Sequence, residues 1–147
     1  MNIFFMKKAL EEAQKAFDKD EVPVGAVIVR NGEIIAAAHN IRELSGDATA
    51  HAEMLAIREA CERLGGWRLL DCEMYVTLEP CVMCGGAILQ ARIERLYIGA
   101  MDPKGGAAGS TLNLFEDYRF NHETEVQTGI LEAECSQILK DFFKRKR

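Results

Sequence analysis

The stretch Met74–Ile98 reads MYVTLEPCVMCGGAILQARIERLYI. Met74–Leu78 is a short apolar run and predicts a strand. Residues 81–91 predict a helix, and Leu96–Ile98 a further strand. A strand, a helix and a strand in one short segment make a βαβ unit with parallel strands and a right-handed crossover. Upstream, Met6, Leu10, Ala13 and Phe17 recur at helical spacing, so residues 2–19 predict an amphipathic helix. Val24–Val29 is a continuous apolar run after Pro23 and predicts a buried strand. Asn31-Gly32 is a hairpin signal, because both residues tolerate positive φ, and Ile34–Ala38 returns as the next strand. Residues 40–50 are polar and turn-rich. Met54, Ile57, Cys61 and Leu64 mark a second helix that stops at Gly65-Gly66. Downstream, residues 100–110 form a Gly/Ala loop, residues 111–124 carry no clear pattern, and Val126 sits in a short fifth strand. Leu131, Cys135, Ile138 and Phe142 define a last amphipathic helix. The expected fold is α/β: one domain over residues 1–147, with a mixed central sheet of about five strands flanked by helices.

The 147 residues suit one domain and leave little room for two. Hydrophobic residues make up 48% and charged residues 28%, which excludes disordered and fibrous classes. No apolar run is long enough for a membrane helix. Ile3–Met6 followed by Lys7 and Lys8 is not a signal peptide. The five cysteines are an odd number without a secretory context. They point to a reducing, cytoplasmic setting rather than a disulfide framework.

Chemistry concentrates in His51-Ala52-Glu53 and Pro80-Cys81-Val82-Met83-Cys84. Cys81 and Cys84, three apart at a helix start, share one face. The positive end of the helix dipole there favours thiolates. Pro80 suits the first turn, where its missing N–H costs nothing. The helix begins just past the carboxyl end of a strand, where open α/β sheets hold their ligands. Two thiolates and a neutral His51 suit zinc, and three protein ligands leave one tetrahedral position open for water. Glu53 is then the natural proton shuttle. His51 and Glu53 are two apart and can converge only if His51 lies at or before the first helical turn. Thr49 or Asp47 is expected to cap that entry.

Other readings of the pieces remain open. Cys-x-x-Cys alone also fits a redox pair, although no aromatic-Cys-Gly-Pro core accompanies it. A closed structural zinc would take a fourth ligand from His39, His122 or another cysteine. Cys61, Cys72 and Cys135 are most simply core residues.

Taken together, His-x-Glu followed by Pro-Cys-x-x-Cys resembles the signature of the zinc nucleobase deaminases. Further segments resemble one group within them, the bacterial tRNA-specific adenosine deaminases. They are Val22–Val27, His39-Asn40, Thr49–Glu53, Tyr75–Cys84, Gly105–Ser110 and Asp141-Phe142-Phe143. The resemblance implies a cytidine deaminase-like three-layer domain and one zinc per subunit on His51, Cys81 and Cys84, with Glu53 as proton shuttle. It implies adenosine-to-inosine conversion at the tRNA wobble position, by hydroxide attack on C6 of adenine. It also implies a homodimer acting on the anticodon loop. Asn40 matches the family's base-edge contact, and its own sequence reading is a turn residue. Asp102 and Lys104 sit where the family approaches the RNA backbone and sugar. Lys104-Gly105-Gly106 has glycine where some relatives carry a hydroxyl residue. Phe142 continues an apolar stripe and reads as core, whereas Phe143 leaves the stripe and offers a stacking face for RNA.

The rivals are a free guanine or cytosine/cytidine deaminase and a non-catalytic zinc-stabilised RNA-binding subunit, which would have no need of Glu53. The net charge of −5 argues mildly against nucleic acid. Lys140–Arg147, however, holds five basic residues against Asp141 alone, a local +4 that leaves −9 for the rest. RNA recognition is therefore expected in a small loop held near the zinc, not along a broad basic face.

Overall fold

A computed structural model of the chain describes residues 1–116, 120 and 122–146. Helix α1 (Ile3–Asp18) is followed by strands β1 (Gly25–Arg30) and β2 (Glu33–His39). Next come a single helical turn, α2 (Arg42–Ser45), and helix α3 (Ala52–Leu64). Then follow β3 (Cys72–Leu78), α4 (Val82–Gln90), β4 (Arg95–Ala100), β5 (Glu125–Gln127) and α5 (Glu132–Arg145). One mixed sheet has the order β2-β1-β3-β4-β5. β1 is antiparallel to β2 and to β3, while β3–β4 and β4–β5 are parallel. β2, β3 and β4 therefore point the same way, and their carboxyl ends share one edge of the sheet.

Alternation along the strands sorts side chains into two cores. Val27, Val29, Tyr75 and Tyr97 face Phe5, Met6 and Ala9 of α1 and Cys135 of α5. Ala26, Ile28, Met74, Val76, Leu96 and Ile98 face Ala52, Ala56 and Ala60 of α3 and Ile88 of α4. The result is the expected α/β architecture of helix, sheet and helix layers.

The local signals act where the sequence placed them. Asn31 and Gly32 take φ 51° and 77° and close a two-residue hairpin between Arg30 and Glu33. Gly65 caps α3 at φ 76°. Two features differ from the expectation. The polar stretch 40–50 contains the turn α2, which has no apolar stripe because none of its residues is buried. Pro80 is not in the first turn of α4, because Cys81 is the N-cap and Pro80 precedes it. Its carbonyl accepts the Ala107 N–H (2.8 Å) instead. The unpatterned stretch 111–124 includes a 3-10 turn at Leu114–Glu116, and residues 117–119 and 121 lie outside the described residues.

Gly25 sets how closely α1 approaches the sheet. A Cβ there would lie 2.0 Å from the Ala9 carbonyl oxygen and 2.5 Å from the Ala13 nitrogen, both backbone atoms with no rotamer to change. Gly25→Ala should therefore cost about 2–3 kcal/mol or more, at the upper end of overpacking penalties. Urea unfolding checks this, and an unchanged midpoint would show that α1 can shift freely.

Candidate active site

Two helix starts meet at the shared edge. His51 is the N-cap of α3, with extended φ −78° and ψ 153°, and Cys81 is the N-cap of α4. His51 thus lies just before the helix, as convergence with Glu53 requires. Its Nδ1 stands 3.7 Å from Cys81 Sγ and 3.6 Å from Cys84 Sγ. A tetrahedral zinc with Zn–N of about 2.0 Å and Zn–S of about 2.3 Å sets N and S about 3.6 Å apart. The donors therefore fit that ion in kind and in spacing. Among the described residues, no fourth His, Cys, Asp or Glu joins the cluster. His39 is engaged with Glu12 (3.0 Å) and Lys19 (3.1 Å), and His122 with the Ile93 carbonyl (2.8 Å). A closed four-ligand site is not assembled among these residues.

The entry to α3 is built differently from the expectation. Asp47 Oδ1 accepts the Thr49 N–H (2.8 Å) and hydroxyl (2.7 Å). This makes a turn that delivers His51, but neither side chain caps α3.

The site is electrostatically poised. Glu53 is in the first turn of α3 and only 4% exposed. Burial pushes its carboxyl up to about 7, with the Cys81 charge adding to the effect. The Cys81 thiol is pulled down to about 5 by the Cys84 S–H, helped by the Cys84 and Met83 backbone N–H groups at the start of α4. The Cys84 thiol is pushed up because it shares its proton with Cys81 and is buried. One thiolate forms readily, and a second beside it needs a cation. That is the behaviour expected of a metal-binding pair.

A cavity of about 190 Å³ opens onto His51, Glu53 and Cys81. Val22, Val24 and Leu78 give it apolar walls, and Asn40, Arg42, Glu79 and Asp102 supply polar groups. Asn40 is 8% exposed and firmly held: Nδ2 donates to the Val22 carbonyl (3.2 Å) and Oδ1 accepts the Arg42 N–H (3.0 Å). Its amide keeps one N–H and one lone pair for another partner. The turn residue and the cavity residue are the same residue. Asp102 Oδ1 accepts the N–H groups of Lys104 (3.1 Å) and Gly105 (3.2 Å).

Lys104 is exposed and does not line the cavity. Phe143 lies on α5, 48% exposed, edge-on to the buried Phe142, which packs against Phe17. Most of the basic tail is the last turns of α5, and its end is tied down. Arg145 donates to the Phe17 carbonyl and to Asp20 (both 3.1 Å), and Lys146 also bonds Asp20. Asp20 lies two residues before the cavity-lining Val22. The tail therefore sits beside the segment that enters the site, with two of its charges already paired. Arg147 lies outside the described residues.

Sequence reasoning assigned no role to three buried carboxylates, two of which, Glu21 and Glu79, hold segments beside the cavity. Glu21 accepts the Glu43 (3.0 Å) and Leu44 (2.6 Å) N–H groups and so fixes α2 beside the cavity. Glu79 ties down the loop after β4. An acid inside a strongly apolar context, as in Thr77-Leu78-Glu79-Pro80, was the available signal for the second.

Fold and site together define a hydrolytic deaminase that carries a His/Cys/Cys group able to hold a metal ion. The chain belongs to the deaminase family whose model, described as MafB19-like deaminase, matches residues 2–147. Its group within that family is the tRNA-specific adenosine deaminases. It is 55% identical to the one from Bacillus subtilis over 97% of this chain and 89% of that protein. It is 51% identical to the one from Aquifex aeolicus over 98% and 95%. A solved structure from a study of A-to-I editing by tRNA:A34 deaminases at the wobble position of transfer RNA superposes with a TM-score of 0.91. That protein is 49% identical, and the match covers 94% of this chain and all of that one. A guanine deaminase from Nitrosomonas europaea is more distant, at TM-score 0.81 and 25% identity over 97% and 84%.

Glu53 makes the metal-free protein sensitive to pH. In the folded chain its carboxyl keeps a proton up to about pH 7, against 4.5 for the ordinary group. Between those values the folded state binds the extra proton, so raising the pH removes stability, by about 3 kcal/mol in total. Chelator-treated protein should lose this stability relative to Glu53→Gln between pH 4.5 and 7, and no more above 7. Urea unfolding across that range checks it, and parallel profiles would show that Glu53 is not held protonated.

Proposed function

We propose that this chain is a zinc-dependent hydrolase that deaminates adenosine to inosine at the wobble position of tRNA, working as one catalytic domain over residues 1–147. The observation that carries this reading is the buried Glu53 facing the same cavity as His51 and Cys81, which cluster with the buried Cys84. The tRNA-specific adenosine deaminases supply the substrate.

His51, Cys81 and Cys84 would hold a zinc ion, which would supply water activation when bound. Glu53 is buried and opens onto the cavity beside His51 and Cys81, the placement a general acid–base needs. It accepts a proton from the attacking water and delivers it to N1 of the adenine ring, then takes the proton of the hydroxyl left on C6 and passes it to the departing amine. Water adds at C6, ammonia leaves, and the base becomes hypoxanthine. Val24 and Leu78 flank the ring, and the free N–H and lone pair of Asn40 meet its edge.

The cavity is small, so the target base must leave its stack, which an anticodon loop allows. Asp102 and Lys104 approach the sugar and backbone of that loop, and the exposed Phe143 stacks on a neighbouring base. The reaction takes place in the cytoplasm. No helix among the described residues is long and apolar enough to cross a membrane. The chain works as a homodimer. The outward face of α4 supports this, with Val82 59% exposed and no charged side chain anywhere in the helix. Sedimentation equilibrium should give twice the chain mass, and a monomer at micromolar concentration would remove this part of the proposal.

Glu53→Ala should lower turnover by at least about 10²-fold, the usual contribution of a positioned acid–base group, while metal content stays at one per chain. Cys84→Ala should lose the metal as well. Incubation with tRNA, free guanine and cytidine should yield inosine in the tRNA. Xanthine or uridine as the main product would overturn the substrate, and full activity in Glu53→Ala would overturn the mechanism.

A further inference from the structure

The loop that follows β4 has almost no regular structure, and a single carboxylate organises it. Glu79, 3% exposed at the end of β3, points into residues 102–110. Oε1 accepts the Asp102 N–H (2.8 Å) and the Ser110 hydroxyl. Oε2 accepts the Ala108 N–H (2.9 Å) and the Ser110 N–H (3.0 Å). A carboxylate has about four acceptor sites, and one loop fills them. Three of the four donors are backbone groups, which must find an acceptor when they are buried.

Gly106 shows how tightly the loop closes on this group. A Cβ there would lie 2.1 Å from the Glu79 carboxyl carbon and 2.2 and 2.4 Å from its two oxygens. Glycine is therefore required by the carboxylate, at an ordinary negative φ, and not by backbone conformation. The consequence reaches the cavity through Asp102, whose N–H is held by Glu79 and which lines the cavity with His51 and Glu53.

We propose that Glu79 is a positioning residue for substrate binding. By gathering the donors of residues 102, 108 and 110 it fixes Asp102 and the cavity wall that meets the substrate. Its oxygens are taken up by the loop donors, so it acts on the substrate through Asp102. This rests on the cavity being the substrate site, and the measurements below separate the two ideas.

Glu79→Gln keeps the shape but sets an NH2 group against N–H donors. Metal content should stay at one per chain. Amide hydrogen exchange at Asp102, Ala108 and Ser110 should accelerate about tenfold or more, since each loses or weakens its only acceptor. In deamination of tRNA, KM should rise about tenfold while kcat changes by less than about threefold, the pattern of lost binding rather than lost chemistry. Gly106→Ala, with Glu79 intact, should reproduce the exchange and KM effects, and it carries the test alone if Glu79→Gln does not fold. In a Glu79→Ala background, Gly106→Ala should add nothing, because the group it strikes is gone. Unchanged exchange at 102–110, or additive effects of the two substitutions, would overturn the positioning role whatever the substrate is. Faster exchange with KM unchanged and kcat lost together with metal would show Glu79 to be a support of the metal site instead.

Discussion

β3 runs parallel to β4, and a parallel pair needs a crossover that returns the chain to the starting edge of the sheet. α4 is that crossover, so its N-terminus must stand at the carboxyl end of β3. The antiparallel hairpin places β2 in the same direction as β3 and β4. Three chain segments therefore leave the sheet at one edge, carrying Asn40 after β2, Cys81 after β3 and Asp102 after β4. His51 and Glu53 join them because α3 begins shortly after β2 ends. This common edge brings residues that are up to 80 positions apart in the sequence, from Val22 to Asp102, around one cavity.

Around this frame, negative groups are buried where backbone N–H groups can meet them. Cys81 sits at the start of α4, Glu21 holds the first amides of α2, and Glu79 holds the loop after β4. Each group compensates an unpaired set of donors, which helix starts and irregular loops both present. Glu53 is the exception. It sits in the first turn of α3, yet burial outweighs the help of nearby N–H groups, and its carboxyl rises to about 7. One acid is left ready to exchange protons while the others are locked in structural contacts. The difference comes from environment, since all are ordinary carboxyl or thiol groups in the unfolded chain.

Much of the fold was legible because its signals are local. The 3.6-residue spacing of Met6, Leu10, Ala13 and Phe17 predicts α1, Asn31-Gly32 predicts the hairpin, and the parallel unit follows from one short segment. The clustering of His51, Cys81 and Cys84 was legible for a similar reason, since few residue types suit zinc and their spacing is characteristic. The turn α2 was not, because a single turn shows no periodicity. Pro80 stands two positions before the first helical residue, Val82, because Cys81 takes the cap, and sequence alone does not say which residue caps. Lys104 and Phe143 carried no local signal for where they lie relative to the cavity, and the structure places neither in its lining.

By itself, the sequence determined the order of helices and strands, the sheet class, the His/Cys/Cys group able to hold a metal and the acid beside it. These depend on residue type and on spacings of two to four residues, which local geometry converts directly into faces and turns. Only the tertiary structure decided that His51 stands outside its helix, with Nδ1 3.7 and 3.6 Å from the two sulfurs. It alone showed that Asn40 is both turn and cavity residue, that Asp20 already occupies two tail charges, and that Glu79 rather than a repeating motif shapes the loop. The long-range contacts among these join residues 18 to 126 positions apart, and they form only after the strands have paired and the helices have settled on the sheet.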